Sequence, residues 1–139
     1  MSMYVLDACA LFALLQDESG ADKVAAAIIA ANNGEAKIVM NRINLLEVYY
    51  DVYRSRGEEQ AKVMLTNLRK HRVEINAEIT DEIFAEAGRL KASYKISLAD
   101  SIALAQAIVT DGELLTADHH EFDVIEANGR EAIRFCWIR

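Results

Sequence analysis

The stretch Met3-Tyr4-Val5-Leu6-Asp7-Ala8-Cys9-Ala10-Leu11 sets the frame for the whole chain. Met3–Leu6 is a short continuous apolar run, the pattern of a strand buried on both faces. An aspartate ends it at once, and Cys9–Gln16 then reads as a short helix. The same alternation continues. Lys37–Met40, Val73–Ile75, Glu113–Thr116 and Arg134–Ile138 read as further strands. Between them Ala21–Ala31 is alanine-rich and helical, and Ile43–Arg56 carries a stripe of Leu45, Val48, Tyr49, Val52 and Tyr53. Glu58–Lys70 has a second stripe of Ala61, Met64, Leu65 and Leu68. Thr80 and Asp81 cap a helix running to Tyr94, and Ser97–Val109 is another. Strands separated by helices predict a parallel sheet covered on both faces, an α/β fold.

Glycine does the punctuation, because there is no proline. Gly20, Gly34, Gly57, Gly112 and Gly129 fall between segments and predict turns or helix ends, whereas Gly88 sits inside a helical pattern and predicts close packing there. The 139 residues form one domain, 1–139, with a core large enough to fold without disulfides or a structural metal. Apolar residues make up 53% and charged residues 27%, which excludes a disordered chain. No apolar run approaches the ~20 residues of a membrane span, and no basic segment precedes the first apolar stretch as in a secretory signal. Cys9 and Cys136 form no paired motif, which fits a reducing cytoplasm. The net charge of −7 argues against a protein that coats nucleic acid, unless several carboxylates are gathered in one metal-loaded pocket.

Asp7 follows the first strand and Asp118 follows Leu114-Leu115-Thr116-Ala117. Both lie at the carboxyl ends of strands, where open parallel sheets bind ligands, although an aspartate there is equally a turn or cap residue. Glu47, in Ile43-Asn44-Leu45-Leu46-Glu47-Val48-Tyr49-Tyr50, has apolar and aromatic neighbours. It is either on a narrow polar stripe with Asp51 or buried with a partner. Asp100 opens the helix Ser97-Leu98-Ala99-Asp100-Ser101-Ile102-Ala103, where a negative charge suits the helix dipole. Ala99, Ala103 and Ala107 would let that helix pack closely and carry Asp100 to the edge of the sheet. Three or four hard oxygen ligands are what Mg2+ or Mn2+ requires, and such ions can activate water for phosphodiester cleavage. No GxSxG, P-loop, GxGxxG or HExxH motif offers a competing chemistry.

These four acids, in this order and context, resemble the PIN-domain ribonucleases, and most of all the VapC-type toxins of toxin–antitoxin pairs. The resemblance implies a three-layer α/β/α fold with a central, mostly parallel sheet. It implies a metal-dependent endoribonuclease using Mg2+ or Mn2+, with an RNA substrate, a cognate antitoxin protein that blocks the site, and a homodimer. By that likeness Asp7, Glu47, Asp100 and Asp118 are the catalytic, metal-binding acids, Asp7 and Asp100 holding the principal metal. Thr116 matches a hydroxyl residue that orients a ligand or water. Cys9 departs from the serine, threonine or asparagine of many relatives, and a thiol is a poor partner for a carboxylate or water.

Other features have plainer readings. His119 and His120 read as a solvated loop, and Asp123 as a loop or helix-start residue more than a further site acid. Arg54, Arg56, Lys62, Arg69, Lys70 and Arg72 make the middle of the chain basic, either a solvated hairpin or an RNA-backbone surface. Tyr49, Tyr50 and Tyr53 read as packing or dimer contacts before base-stacking ones. Two alternatives keep the fold but change the role: a PIN-like nuclease in RNA processing or acting on DNA, and a catalytically silent protein-binding module. A receiver-type phosphoacceptor would need a lysine after a late strand, and Lys95 is poorly placed for that.

Overall fold

A computed structural model describes every residue, Met1–Arg139. The elements follow as β1 (Ser2–Leu6), α1 (Ala8–Leu15), α2 (Ala21–Asn32), β2 (Ala36–Asn41), α3 (Arg42–Arg56), α4 (Glu58–Arg69), β3 (Val73–Asn76), α5 (Asp81–Ser93), α6 (Leu98–Thr110), β4 (Glu113–Thr116), α7 (His119–Asn128) and β5 (Arg134–Trp137). The sheet is parallel throughout, in the order β3-β2-β1-β4-β5. β1 is therefore central, with Val5 opposite Val39 of β2 on one side and Leu114 of β4 on the other.

Strand alternation sorts the core into two layers. Leu6, Ile38, Met40 and Leu115 pack on one face with Leu11, Val24, Ile28, Val48, Met64 and Leu68 from α1 to α4. Val5, Val39 and Leu114 pack on the other with Ile83, Leu90, Leu104, Phe122 and Ile125 from α5 to α7. Helices on both faces of a parallel sheet give the expected three-layer α/β/α fold. Ala103 and Ala107 are buried, so α6 does lie close on the sheet.

Two local expectations fail. The segment after Asp118 is a helix, α7, and not a loop: its apolar stripe is only Phe122 and Ile125, too short to register as a period, but both are fully buried. Gly88 is not closely packed. It is exposed on α5, and a Cβ added there would meet nothing within 4 Å. Gly20 has the opposite character. Its φ is +95°, and a Cβ would come within 2.6 Å of the Ile138 carbonyl, so the end of the chain lies against the start of α2.

Candidate active site

Asp7 lies where β1 turns into α1. It is 1% exposed, and its Oδ1 accepts from the Ala10 N–H at 2.8 Å, capping α1. The Asp7 N–H donates to the Leu115 carbonyl at 3.4 Å, which ties this carboxylate to the end of β4. Its second oxygen, Oδ2, is buried and has no hydrogen-bond partner. Burial pushes the Asp7 carboxyl up to about 7; the Thr116 hydroxyl and the Ala10 N–H draw it back, and the charges of Asp100 and Asp118 add to the rise. Thr116 is close enough to exert this pull, yet it closes no hydrogen bond to Oδ2.

The other three predicted acids meet above it. Asp118 caps α7, its Oδ1 accepting from the Glu121 N–H at 3.2 Å, while its own N–H donates to the buried Thr116 Oγ1 at 3.0 Å. Asp100 stands in the first turn of α6, which is capped by Ser97, whose Oγ accepts from the Asp100 N–H at 3.1 Å. Burial pushes the Asp100 carboxyl up to about 7, against the pull of Ser97, and Asp118, Glu121 and Glu47 push the same way. Glu47 is half-buried on α3; desolvation raises its pKa first, then the charges of Asp118 and Asp51. Asp7 and Asp118 thus cap the helices that follow them, and the charge of Asp118 adds to the rise at Asp7, Glu47 and Asp100 alike.

Glu47, Asp100 and Asp118 border an open cleft of about 370 Å³ at the carboxyl ends of β1 and β4, and Asp7 is buried next to its lining residues Ala8 and Cys9. Glu47, Asp51, Asp100, Asp118 and Glu18 line it, with Cys9 and Phe12, and no lysine or arginine does. Glu18 and Asp51 are partly neutralised, by Arg139 at 3.7 Å and Arg54 at 2.7 Å. None of Asp7, Glu47, Asp100 and Asp118 has an ion-pair partner. A larger hollow of about 470 Å³ opens at the opposite end of the sheet, by Lys37 and Arg72, away from these acids.

This donor set fits a hard divalent cation: all oxygen, uncompensated, with one buried carboxylate oxygen that nothing in the protein satisfies. The side chains stand apart, and no three acidic, histidine or cysteine groups close on a common point.

Asp51, Glu18 and Glu121 belong to the site's electrostatics but were not singled out for it in the sequence. Asp51 lies four residues after Glu47, on the same helix face, and Glu121 lies three after Asp118 in a capping-box spacing. No comparable signal marks Glu18. His119 is structural: it stacks on Trp137 at 3.9 Å, its Nδ1 meets Asp123 Oδ1 at 2.7 Å and its Nε2 meets the Arg139 carbonyl at 2.8 Å. Asp123 is therefore engaged within α7. Cys9 is half-buried at the cleft, and desolvation and the charge of Asp7 push its thiol up to about 11, so it is neutral there. The six basic side chains between Arg54 and Arg72 are all exposed. Arg54 pairs with Asp51 and lies over the Tyr50 ring at 5.7 Å, and Lys62 pairs with Glu58 at 2.9 Å.

The PIN domain family model matches residues 4–128. The chain belongs to the PIN-domain family. Solved structures share this PIN domain's fold from end to end. VapBC from Salmonella typhimurium, bound to DNA, has a TM-score of 0.75 at 15% identity, covering 100% of both chains. VapBC2 from Rickettsia felis, bound to a promoter DNA fragment, has 0.71 at 19% identity, covering 96% of this chain and 97% of that one. VapC20 from Mycobacterium tuberculosis, a toxin that cleaves the sarcin–ricin loop, has 0.62 at 14% identity, covering 94% and 96%. No curated protein matches the sequence. No helix of this PIN domain is long and apolar enough to cross a membrane.

Proposed function

We propose that this PIN domain is a metal-dependent endoribonuclease, the VapC-like toxin of a toxin–antitoxin pair, acting in the cytoplasm with Mg2+ or Mn2+. The observation that carries the reading is a set of acids without ion-pair partners: Glu47, Asp100 and Asp118 line one cleft, and Asp7, buried beside it, has an unsatisfied oxygen. Asp7 and Asp100 hold the principal cation, Glu47 and Asp118 complete the site, and Thr116 fixes the backbone that presents Asp118. A bound divalent cation supplies an activated water and charge stabilisation for a leaving oxygen.

The chain's own groups do the rest. Asp7 and Asp100, each pushed up to about 7, hold protons near neutral pH when nothing else compensates their burial. They give these up on ligation, so cation binding releases protons. Glu47 and Asp118 lie at the cleft surface, where they position the attacking water and accept its proton. The exposed Arg56, Arg69, Lys70 and Arg72 guide the RNA backbone without carrying sequence information. The antitoxin would place a basic side chain among the acids, where charge-assisted bonds compete with the metal. A homodimer is the proposed assembly.

Purified protein with single-stranded RNA and Mn2+ tests the reading. Cleavage should stop with EDTA and fall at least about 100-fold in Asp100→Asn, beyond the range of about 10- to 100-fold seen when only a residue orienting a ligand is lost. Cleavage of DNA alone would support the alternative nuclease role. A folded wild-type protein that binds Mn2+ but cleaves neither would support the silent module. Cleavage by folded Asp100→Asn at the wild-type rate would sink the proposed site.

A further inference from the structure

Asn44 is 1% exposed, in the first turn of α3 and one turn before Glu47. Its Nδ2 donates to the Ala99 carbonyl at 3.0 Å, the peptide that leads directly into Asp100. It is the one side-chain hydrogen bond between residues within Arg42–Arg56 of α3 and Leu98–Thr110 of α6. The amide's orientation follows from the partner: turned over, it would set Oδ1 against a carbonyl oxygen. Its Oδ1 is buried and has no donor. For packing alone asparagine is a poor choice, because an apolar side chain of similar volume would strand no acceptor.

We propose that Asn44 is a positioning residue for the carboxylate site: it clamps α3 to the first turn of α6 and so fixes where Glu47 stands relative to Asp100. This rests on the metal-binding reading above. Glu47 and Asp100 come from helices separated in sequence by α4, β3 and α5, and whenever both are ionised, as ligation requires, their charges push those helices apart. The bond from Asn44 acts against that push at the point where it matters, one turn from one acid and one peptide from the other. A second buried amide provides the contrast. Gln106, later in α6, accepts through Oε1 from Asn76 Nδ2 at 2.7 Å and from Asn41 Nδ2 at 3.5 Å. It ties α6 to β3 and, at longer range, to Asn41, which ends β2 and caps α3, but it bonds neither Asn44 nor the peptide that leads into Asp100.

The test is Mn2+ affinity by isothermal titration, with thermal stability in EDTA measured on the same samples. Asn44→Leu should weaken Mn2+ binding by about 10- to 100-fold, the range for residues that orient metal ligands. Its stability in EDTA should stay level or rise, since the stranded acceptor is gone and the two acids are free to separate. Gln106→Leu should lower stability, because it strands two amide donors, yet keep Mn2+ affinity within about 3-fold, well short of the loss that an orienting residue causes. Should Asn44→Leu fail to fold, Asn44→Ala gives the same affinity readout without overfilling the site. Wild-type affinity in folded Asn44→Leu or Asn44→Ala overturns the inference. So does an equal loss in Gln106→Leu, which would make the effect general loosening. A wild-type protein that binds no Mn2+ overturns the metal reading itself, a distinct result.

Discussion

Asp7→Asn should stabilise the metal-free protein at pH 8, and the advantage should shrink or vanish as pH falls to 5. The carboxyl of Asp7 goes from 3.8 to about 7 on folding, so folding takes up a proton between those values. A raised acid pKa contributes against stability in proportion to ionisation: its burden is absent below about pH 4, grows through the window, and is complete above about pH 7. For a group 1% exposed, that amounts to about 4 kcal/mol at pH 8 and roughly 1.5 kcal/mol at pH 5. Asparagine keeps the acceptor for the Ala10 N–H and carries no charge, but strands an amide donor where Oδ2 stood, a cost of about 1–3 kcal/mol at any pH. The gap between variant and wild type should therefore widen by about 2–3 kcal/mol from pH 5 to pH 8, a relative rise in Tm of about 5–10 °C for a chain of this size. Differential scanning calorimetry in EDTA reads it, and millimolar Mg2+ should narrow the gap by stabilising wild type more. A gap that stays constant with pH, with Asp7→Asn the less stable protein throughout, would mean that Asp7 is an unstrained cap and that the acids do not crowd one another.

Two more outcomes can be read by thermal melts and cleavage assays. Gly88→Ala should raise stability by about 0.5–1 kcal/mol, because the site is an exposed helix interior with open space for a Cβ; a lower Tm would reveal something packed on that face of α5. Thr116→Val should cost about 1–2 kcal/mol by stranding the Asp118 N–H, and should slow RNA cleavage at least tenfold while α7 remains folded; an unchanged rate would remove Thr116 from the site.

The central elements were readable because the signals were redundant. Val5–Leu6 and Leu114–Leu115 are apolar runs with an acid or hydroxyl at the same end, so strand, face and functional edge came from one pattern. Helix α7 was not, because Phe122 and Ile125 supply only two buried apolar positions and two histidines open it. The start signal is present in Asp118 and Glu121, but an aspartate after a strand suits a ligand site and a helix cap equally well. Gly88 misled for a different reason: a glycine within a helix suggests a neighbour's close approach, and whether a neighbour exists is decided by tertiary structure. The clamp from Asn44 to Ala99 was invisible for the same reason, since it joins residues far apart in the chain through a side chain with no periodic signature.

The strand order has a consequence for how the protein is made. β1 is synthesised first yet lies in the middle of the sheet, and its second neighbour, β4, arrives more than a hundred residues later. Asp7 and Asp118 meet only when that late pairing closes, long after α1 to α4 can begin to collapse on the β1–β2 pair. At about 5–20 residues per second of synthesis, a nascent chain spends several seconds with its first carboxylate in place and no pocket around it. A chain that stalls or is clipped before β4 lacks Asp118 and the central strand's second neighbour, and so has no assembled cleft. The order in which the strands are laid down thus works as a lock: a partner that must bind the finished cleft has the whole of translation in which to be ready.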